Sequence, residues 1–259
     1  MTTTNLAVER ALIILKHLSR SEDGLGIREL SRGLGFSPAG VQKIMNSLFE
    51  QDFVIQNEET KRYALGPAVL QMGLAMLARL EVRQIARPRL EALAQDTGET
   101  AFLGIYDSDE VFYIDKVLPA TEIRMDAPLG VSRPYNCTAV GKVILAHLPG
   151  EEFERLAATK SFIQLTPHSI TDQTELITAL ETVRQNGYAL DQEEFRLGAC
   201  CVAAPVFNHD GQIIAAITTA GPVERIQARL DFIVEQVRTK SQEISARMGY
   251  AVQAATKAA

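Results

Sequence analysis

Three places in the sequence carry residue types that could do chemistry. The first is Cys137-Thr138-Ala139-Val140-Gly141-Lys142. Thr138 is a good N-cap, so the amides of Ala139 and Val140 would open a helix as outward, unpaired donors. Such a helix start favours an anion such as a carboxylate. The second is the trio Cys137, Cys200 and Cys201, which could be core thiols, metal ligands or redox groups. His17, His147, His168 and His209 show no i, i+3 or i+4 pairing with these cysteines. Adjacent Cys200 and Cys201 on a strand would point to opposite faces, which disfavours shared chelation. The third is the run from Ala39 to Asn46. Small Ala39 and Gly40 let a helix approach base edges closely, Gln42 and Asn46 can pair with adenine, and Lys43 with guanine or phosphate. No Ser/His/Asp order, metal motif or P-loop is present, so an enzyme acting on a small acid is the weakest of the functional classes.

The elements that must position the third group are legible in the first sixty-five residues. Val8, Ala11, Leu12, Leu15 and Leu18 recur at helical spacing and predict an amphipathic helix over 6–20. Ser21-Glu22-Asp23-Gly24 breaks it, and Ile27, Leu30 and Leu34 mark a second, short helix with Gly33 and Gly35 around its end. Ser37 then caps a third helix with Pro38 at its first position and Val41, Ile44, Met45 and Leu48 on its apolar face, running to about Gln51. Two helices joined by a short Gly-containing turn, preceded by another, are the parts of a helix-turn-helix. Phe53-Val54-Ile55 and Arg62-Tyr63-Ala64-Leu65, around a polar loop, predict a hairpin or wing. Lys61 and Arg62 on that wing could hold backbone phosphates.

From Ala68 to Leu80 the chain is apolar nearly all round, and a helix without a polar face must be buried. A second copy of the chain is the simplest cover, and the chain's own larger domain the alternative. Arg83–Gln95 reads as a further helix with Pro88 near its start. Residues 100–106 and 111–117 read as strand, turn, strand. Helices are expected over 138–148, 153–156 and 174–185, the last ended by Gly187. A strand starts at Gly187, and 201–207 with 212–219 make a hairpin around Asp210-Gly211, with Pro205 favouring an edge or bulge. Glu224–Met248 reads as one final amphipathic helix. An antiparallel sheet with segregated helices is α+β.

Length fits one large domain or two ordinary ones. The chain has 259 residues, 46% hydrophobic and 22% charged, which excludes a disordered or fibrous protein. The net charge of −6 argues against a basic coat for nucleic acid, but residues 1–65 hold eight basic and eight acidic residues, so the remainder carries all of it. The longest uncharged run, Tyr63–Ala78, is interrupted by Gly66, Pro67, Gln71 and Gly73, so no membrane span is expected. Met1-Thr2-Thr3-Thr4-Asn5 has no signal-peptide character, and three cysteines fit a reducing cytoplasm.

Taken in order, these residues resemble the IclR-type family of bacterial transcriptional regulators. In the N-terminal half the resemblance rests on Val8-Glu9-Arg10-Ala11 with Leu15, Gly24-Leu25-Gly26-Ile27, Glu29-Leu30-Ser31 and Arg62-Tyr63-Ala64-Leu65-Gly66. More specific are Cys137–Lys142 and the later block Asp191-Gln192-Glu193-Glu194-Phe195, Gly198–Pro205. The resemblance covers about residues 6–250. It implies a winged helix-turn-helix domain over 1–66, a linker helix over 67–82 and a GAF-like effector-binding domain over 83–253. It implies a homodimer or tetramer on a double-stranded operator, answering a small-molecule effector with no cofactor or metal. Arg28 and Ser37 complete the candidate DNA-binding set of Ala39, Gly40, Gln42, Lys43, Asn46, Lys61 and Arg62. Where the family often has Ser-Thr followed by His or Arg, this chain has Ala39-Gly40-Val41-Gln42-Lys43, so no operator sequence carries over. Asp191, Cys201, Met125, Thr218 and Ala220 lie where similar proteins line the effector pocket, beside Ala139 and Val140. Ala220 replaces a hydroxyl found in some relatives and implies a less polar wall. Asp191 is expected to meet a ligand hydroxyl or a cation such as Arg124 or Arg133. Glu193 and Glu194 are expected to be structural, and Lys142 a helix-surface cation. A redox or metal sensor working through the cysteines is the alternative.

Overall fold

The computed structural model describes residues 5–79, 81–159 and 161–250, with the side chains of 75–79 left aside. The chain forms two compact units that divide after Arg79. In the first, α1 (Leu6–Leu18) starts at Asn5, whose side chain accepts from the amides of Ala7 and Val8. It ends two residues short of the expected limit. The second helix, α2 (Ile27–Leu34), ends at Gly35 in the left-handed conformation, and α3 (Pro38–Glu50) opens on Ser37, which accepts from the Gly40 amide. The wing strands β1 (Val54–Gln56) and β2 (Tyr63–Leu65) pair antiparallel, and Leu25 bridges to Tyr63. Ile14, Leu18, Leu30, Val41, Met45, Val54 and Tyr63 form one small core. The unit is a winged helix-turn-helix.

The next helix is α4 (Pro67–Arg79), for which cover by a second copy, or by the chain's own larger domain, is the expectation. An all-round apolar helix should be covered, yet Leu70, Met72 and Leu74 are 64%, 61% and 55% exposed. Expected core residues of the linker thus stand on the surface of this protomer; Leu80 lies outside the described residues.

The second unit begins with α5 (Glu81–Thr97), which carries Pro88 inside it and buries Val82, Ala86, Leu90, Leu93 and Ala94. Then come β3 (Thr100–Asp107), β4 (Glu110–Val117), β5 (Ser132–Arg133), α6 (Ala139–His147), α7 (Gly150–Thr159) and α8 (Gln173–Asn186). They are followed by β6 (Ala189–Gln192), β7 (Ala199–Phe207), β8 (Ile213–Pro222), α9 (Val223–Gln227) and α10 (Leu230–Arg247). Six strands form one antiparallel sheet in the order β5-β4-β3-β8-β7-β6. Phe102, Ala203, Ala216 and Ala220 pack with α6 and α8 in the larger core. Their neighbours Ala101, Leu103, Val202, Ala204 and Ile217 are buried as well, and α5 and α10 pack on β3 and β7. A sheet covered on both faces produces continuous apolar strands, which is why 199–207 shows no alternation. The fold is α+β.

Three local differences have physical causes. The final helix is two: the turn at Ala228 and Arg229 interrupts it, and the Arg229 guanidinium donates to the carbonyls of Thr97 and Asp96 at the end of α5. The two-residue β5, invisible to periodicity, is held by pairing with Val111 and Phe112. Pro205 lies beyond the stretch where β6 pairs with β7, next to an irregularity at Val206/Phe207, so its missing N–H disturbs no ladder there.

Candidate nucleic-acid interface and effector cavity

On α3, Val41 and Met45 face the core while Ala39, Gln42, Lys43 and Asn46 are exposed. Gln42 Nε2 donates to Asn46 Oδ1 at 2.9 Å, so these two amides are aligned on one face before any partner arrives. Gly40 and Lys43 border an apolar groove of about 630 Å3 against α1, lined also by Leu6, Val8 and Leu48. Ser37 is the helix cap, its Oγ 3.2 Å from the Gly40 amide. Arg28 is exposed on α2, and exposed Lys61 stands on the wing at a φ of 56°.

Arg62, expected to hold phosphate, makes contacts within its own unit. Its Nε and Nη2 donate to the Gly24 carbonyl at 3.1 and 2.9 Å, and Nη2 pairs with Glu29 at 3.1 Å. Glu29 in turn accepts from the Gly26 amide at the start of α2. Arg62 therefore fastens the wing to the helix-turn-helix, and its spacing in the sequence could not distinguish that task from phosphate binding.

In the second unit, the start of α6 opens on a cavity of about 140 Å3. Thr138 is the cap: its Oγ1 accepts from the Gly141 amide at 3.1 Å and donates to the Pro134 carbonyl at 2.6 Å. Gly141 is required there, since a Cβ would come within 2.6 Å of the Tyr135 carbonyl oxygen and 2.7 Å of that of Pro134. The amides of Ala139 and Val140 belong to the first turn and have no partner inside the helix. Five expected residues line the cavity: Met125, Ala139, Asp191, Cys201 and Ala220. The side chains of two do not. Val140 packs over Gly104, where an added Cβ would sit 2.5 Å from it. Thr218 is fully buried, its hydroxyl donating to the Val202 carbonyl at 2.9 Å.

Asp191 is held from its own chain. Its Oδ1 accepts from the amides of Glu194 and Phe195 at 2.8 and 3.2 Å. Among the described residues no arginine lies within ion-pair distance of Asp191, so the expected pairing with Arg124 or Arg133 is not made; Arg124 donates to the Thr121 carbonyl instead. Burial, and then the charge of Glu194, pushes the Asp191 carboxyl up to about 7 against the opposing amides and Lys142. Lys142 is also not a surface cation. It is buried and pairs with Glu194 at 2.5 Å, while the Glu194 carbonyl accepts from the hydroxyls of Ser169 and Thr166. Glu193 Oε1 accepts from the Gly198 amide. Both glutamates thus shape the loop that presents Phe195 and Arg196 to the cavity.

The cysteines are poor nucleophiles. Burial pushes the thiols of Cys137 and Cys200 up to about 12, and burial and then the charge of Asp191 push that of Cys201 well above its ordinary value. Among the described residues no group of three or more His, Cys, Asp or Glu could hold a metal ion.

Sequence reasoning missed Phe102, Tyr113, Phe195 and Arg133 as cavity walls. Arg133 sits in an irregular stretch whose place in the sheet comes only from its pairing with Val111.

A winged helix-turn-helix together with a second unit built around a small polar-ended cavity defines a ligand-responsive DNA-binding regulator. Two family models match the chain: the IclR helix-turn-helix domain over residues 7–58, and the bacterial transcriptional regulator IclR C-terminal domain over residues 74–246. The chain belongs to the IclR family of transcriptional regulators, and is not an enzyme. It is 32% identical over 245 residues to the HTH-type transcriptional regulator XynR of Escherichia coli (strain K12), covering 94% of this chain and 97% of that one. The structure of the Thermotoga maritima IclR has a TM-score of 0.74 at 31% identity, covering 94% of this chain and 98% of that one. An IclR homologue from Microbacterium hydrocarbonoxydans, solved with 4-hydroxybenzoate, has the same fold, with a TM-score of 0.82 at 19% identity over 93% of this chain and 98% of that one. No described helix is long and apolar enough to cross a membrane.

Lys43→Ala should weaken operator binding and reduce the slope of log K against log salt by about 0.9, the loss of one phosphate contact. Arg62→Ala should weaken binding with the slope kept, because the wing loosens; a flattened slope for Arg62→Ala would restore it as a phosphate ligand. For Asp191 the sign is set by a folded-state carboxyl titrating near 7, well above its ordinary value of 3.8. The folded state binds the extra proton between those values, so stability falls as pH rises through that window and stays low above it. Asp191→Asn, which keeps an acceptor for both amides, should melt several degrees above the unmutated protein at pH 8 and show a much smaller difference at pH 4. Equal differences at both pH values would contradict the shift.

Proposed function

We propose that the cavity binds a small organic acid whose carboxylate lies against the open first turn of α6, and that this binding alters the affinity of the winged helix-turn-helix for its operator. The observation that carries it is the open first turn of α6, where Thr138 caps the Gly141 amide and leaves the amide of Ala139, a cavity-lining residue, without a partner inside the helix. A helix start attracts an anion by its amides and by a partial charge of about half a unit. Met125, Cys201 and Ala220 supply the apolar part of the wall, and Asp191, which holds its proton to about 7, offers a hydroxyl to a second ligand oxygen. The 4-hydroxybenzoate held by the Microbacterium homologue is an acid of this type, and supports the class of ligand. A ligand acts on DNA binding to the extent that its affinity differs between the DNA-competent and incompetent arrangements.

On the DNA side, Ala39, Gln42 and Asn46 face the major groove, with Gly40 allowing close approach, while Lys43, Arg28 and Lys61 hold phosphates and Ser37 fixes the start of the reading helix. The working form is a homodimer or tetramer in the cytoplasm, in which the exposed Leu70, Met72 and Leu74 of α4 meet a second copy. The redox alternative is disfavoured because all three thiols are pushed above their ordinary range.

Removal of residues 1–65 tests the division of labour. The shortened chain should bind no operator and keep its thermal stabilisation by organic acids. Retained operator binding, or stabilisation lost along with the head, would overturn the proposal.

A further inference from the structure

The cavity contains a cation that the described residues leave without a counter-charge. Arg133 is only 9% exposed, yet among the described residues no carboxylate lies within 4.0 Å of it. Its Nε is buried and has no hydrogen-bond partner. One contact, from Nη2 to the Pro128 carbonyl, is long at 3.3 Å. The guanidinium lies over the rings of Tyr113 and Phe195, with its carbon 5.2 and 5.6 Å from their centroids. Both rings, like Arg133, line the cavity beside Ala139 and Asp191.

The surrounding ion pairs show what is missing. Arg225 in the same unit meets Glu99 through two nitrogens at 2.6 and 2.7 Å, and Arg87 meets both Glu91 and Asp115. A buried charge without a counter-charge is costly, and a neutral hydroxyl offsets little of that cost. Arginine's planar, stacked fork suits a planar carboxylate, whose charge-assisted hydrogen bonds are about twice as strong as neutral ones. Two aromatic faces fix the guanidinium in place, so little freedom is lost when the anion arrives.

We propose that Arg133 is the specificity-determining residue of the effector site, supplying the full positive charge that makes the cavity select a carboxylate anion over its neutral isosteres. This rests on the organic-acid reading above and adds to it a residue and a selection rule. Because an apolar cavity of about 150 Å3 accommodates benzene, the 140 Å3 here limits the ligand to a short chain or a single ring. The ligand's oxygens then bridge the helix start and Arg133, and its apolar body lies against Phe102, Met125 and Ala220.

The test is a thermal-shift and calorimetry panel on the full chain, using pyruvate, succinate, benzoate and 4-hydroxybenzoate, each beside its carboxamide. The unmutated protein should be stabilised by at least one acid and not by its amide. Arg133→Met should bind that acid at least tenfold more weakly and lose the preference over the amide, and Arg133→Lys should keep part of both. Arg133→Gln serves as a second neutral variant, and each is checked for an unchanged far-ultraviolet spectrum. If Arg133→Met and Arg133→Gln still prefer the acid, the α6 amides suffice and the inference falls while the organic-acid reading stands. Equal binding of acid and amide by the unmutated protein also overturns the inference. If no acid binds the unmutated protein, the organic-acid reading itself fails, and the inference with it.

Discussion

A folded chain must pair its buried polar groups or leave them for something else to pair. In the second unit this constraint converges on one place. The Ala139 amide at the start of α6 and the Nε of Arg133 both belong to residues lining a single cavity, and among the described residues neither has a hydrogen-bond partner. Around that cavity most polar groups are paired within the chain. Thr138 caps its helix, Asp191 accepts two amides, and Lys142 neutralises Glu194 in the interior. Buried Glu194 Oε2 also lacks a hydrogen-bond partner, but Glu194 has a counter-charge in Lys142, whereas Arg133 has none among the described residues; that difference is the physical basis for treating the cavity as a binding site.

The surround also explains how the site keeps its shape. Glu194 ties three segments together: its carboxylate reaches Lys142 on α6, its amide reaches Asp191 on β6, and its carbonyl takes hydroxyls from Thr166 and Ser169. The loop carrying Phe195 and Arg196 is therefore anchored on α6 and β6, which also contribute residues to the cavity lining. A ligand pressing on that loop presses on α6 and β6 as well. In the first unit Arg62 has a comparable role, joining the wing to the turn before α2 and leaving Gln42, Lys43 and Asn46 as the outward polar groups of α3.

Much of this was legible in the sequence because local rules govern it. Ser37-Pro38, Gly35, Thr138 and Gly187 mark helix ends through backbone chemistry that does not depend on distant partners. The winged helix-turn-helix followed from periodicity, and the resemblance placed Asp191, Cys201 and Met125 at the cavity they line. What stayed hidden depends on long-range pairing. Lys142 has the sequence context of a surface cation, and only the folded chain brings Glu194 to it across fifty-two positions. Arg62 likewise finds Gly24 and Glu29 far back in the chain. Val140 and Thr218 lie beside true wall residues, but their own side chains are used against Gly104 and Val202. Arg133 was visible only as a possible partner for Asp191, since nothing in a two-residue strand announces which face it will line.

The central claim is that occupation of the cavity and grip on the operator are linked. The direct measurement is a pair of titrations on the full chain: operator affinity with and without a saturating acid that stabilises the protein, and acid affinity with and without operator. Linkage requires both affinities to change by the same factor, of about 5 to 150 for ordinary couplings. An acid that binds tightly yet leaves the operator affinity unchanged would contradict the account.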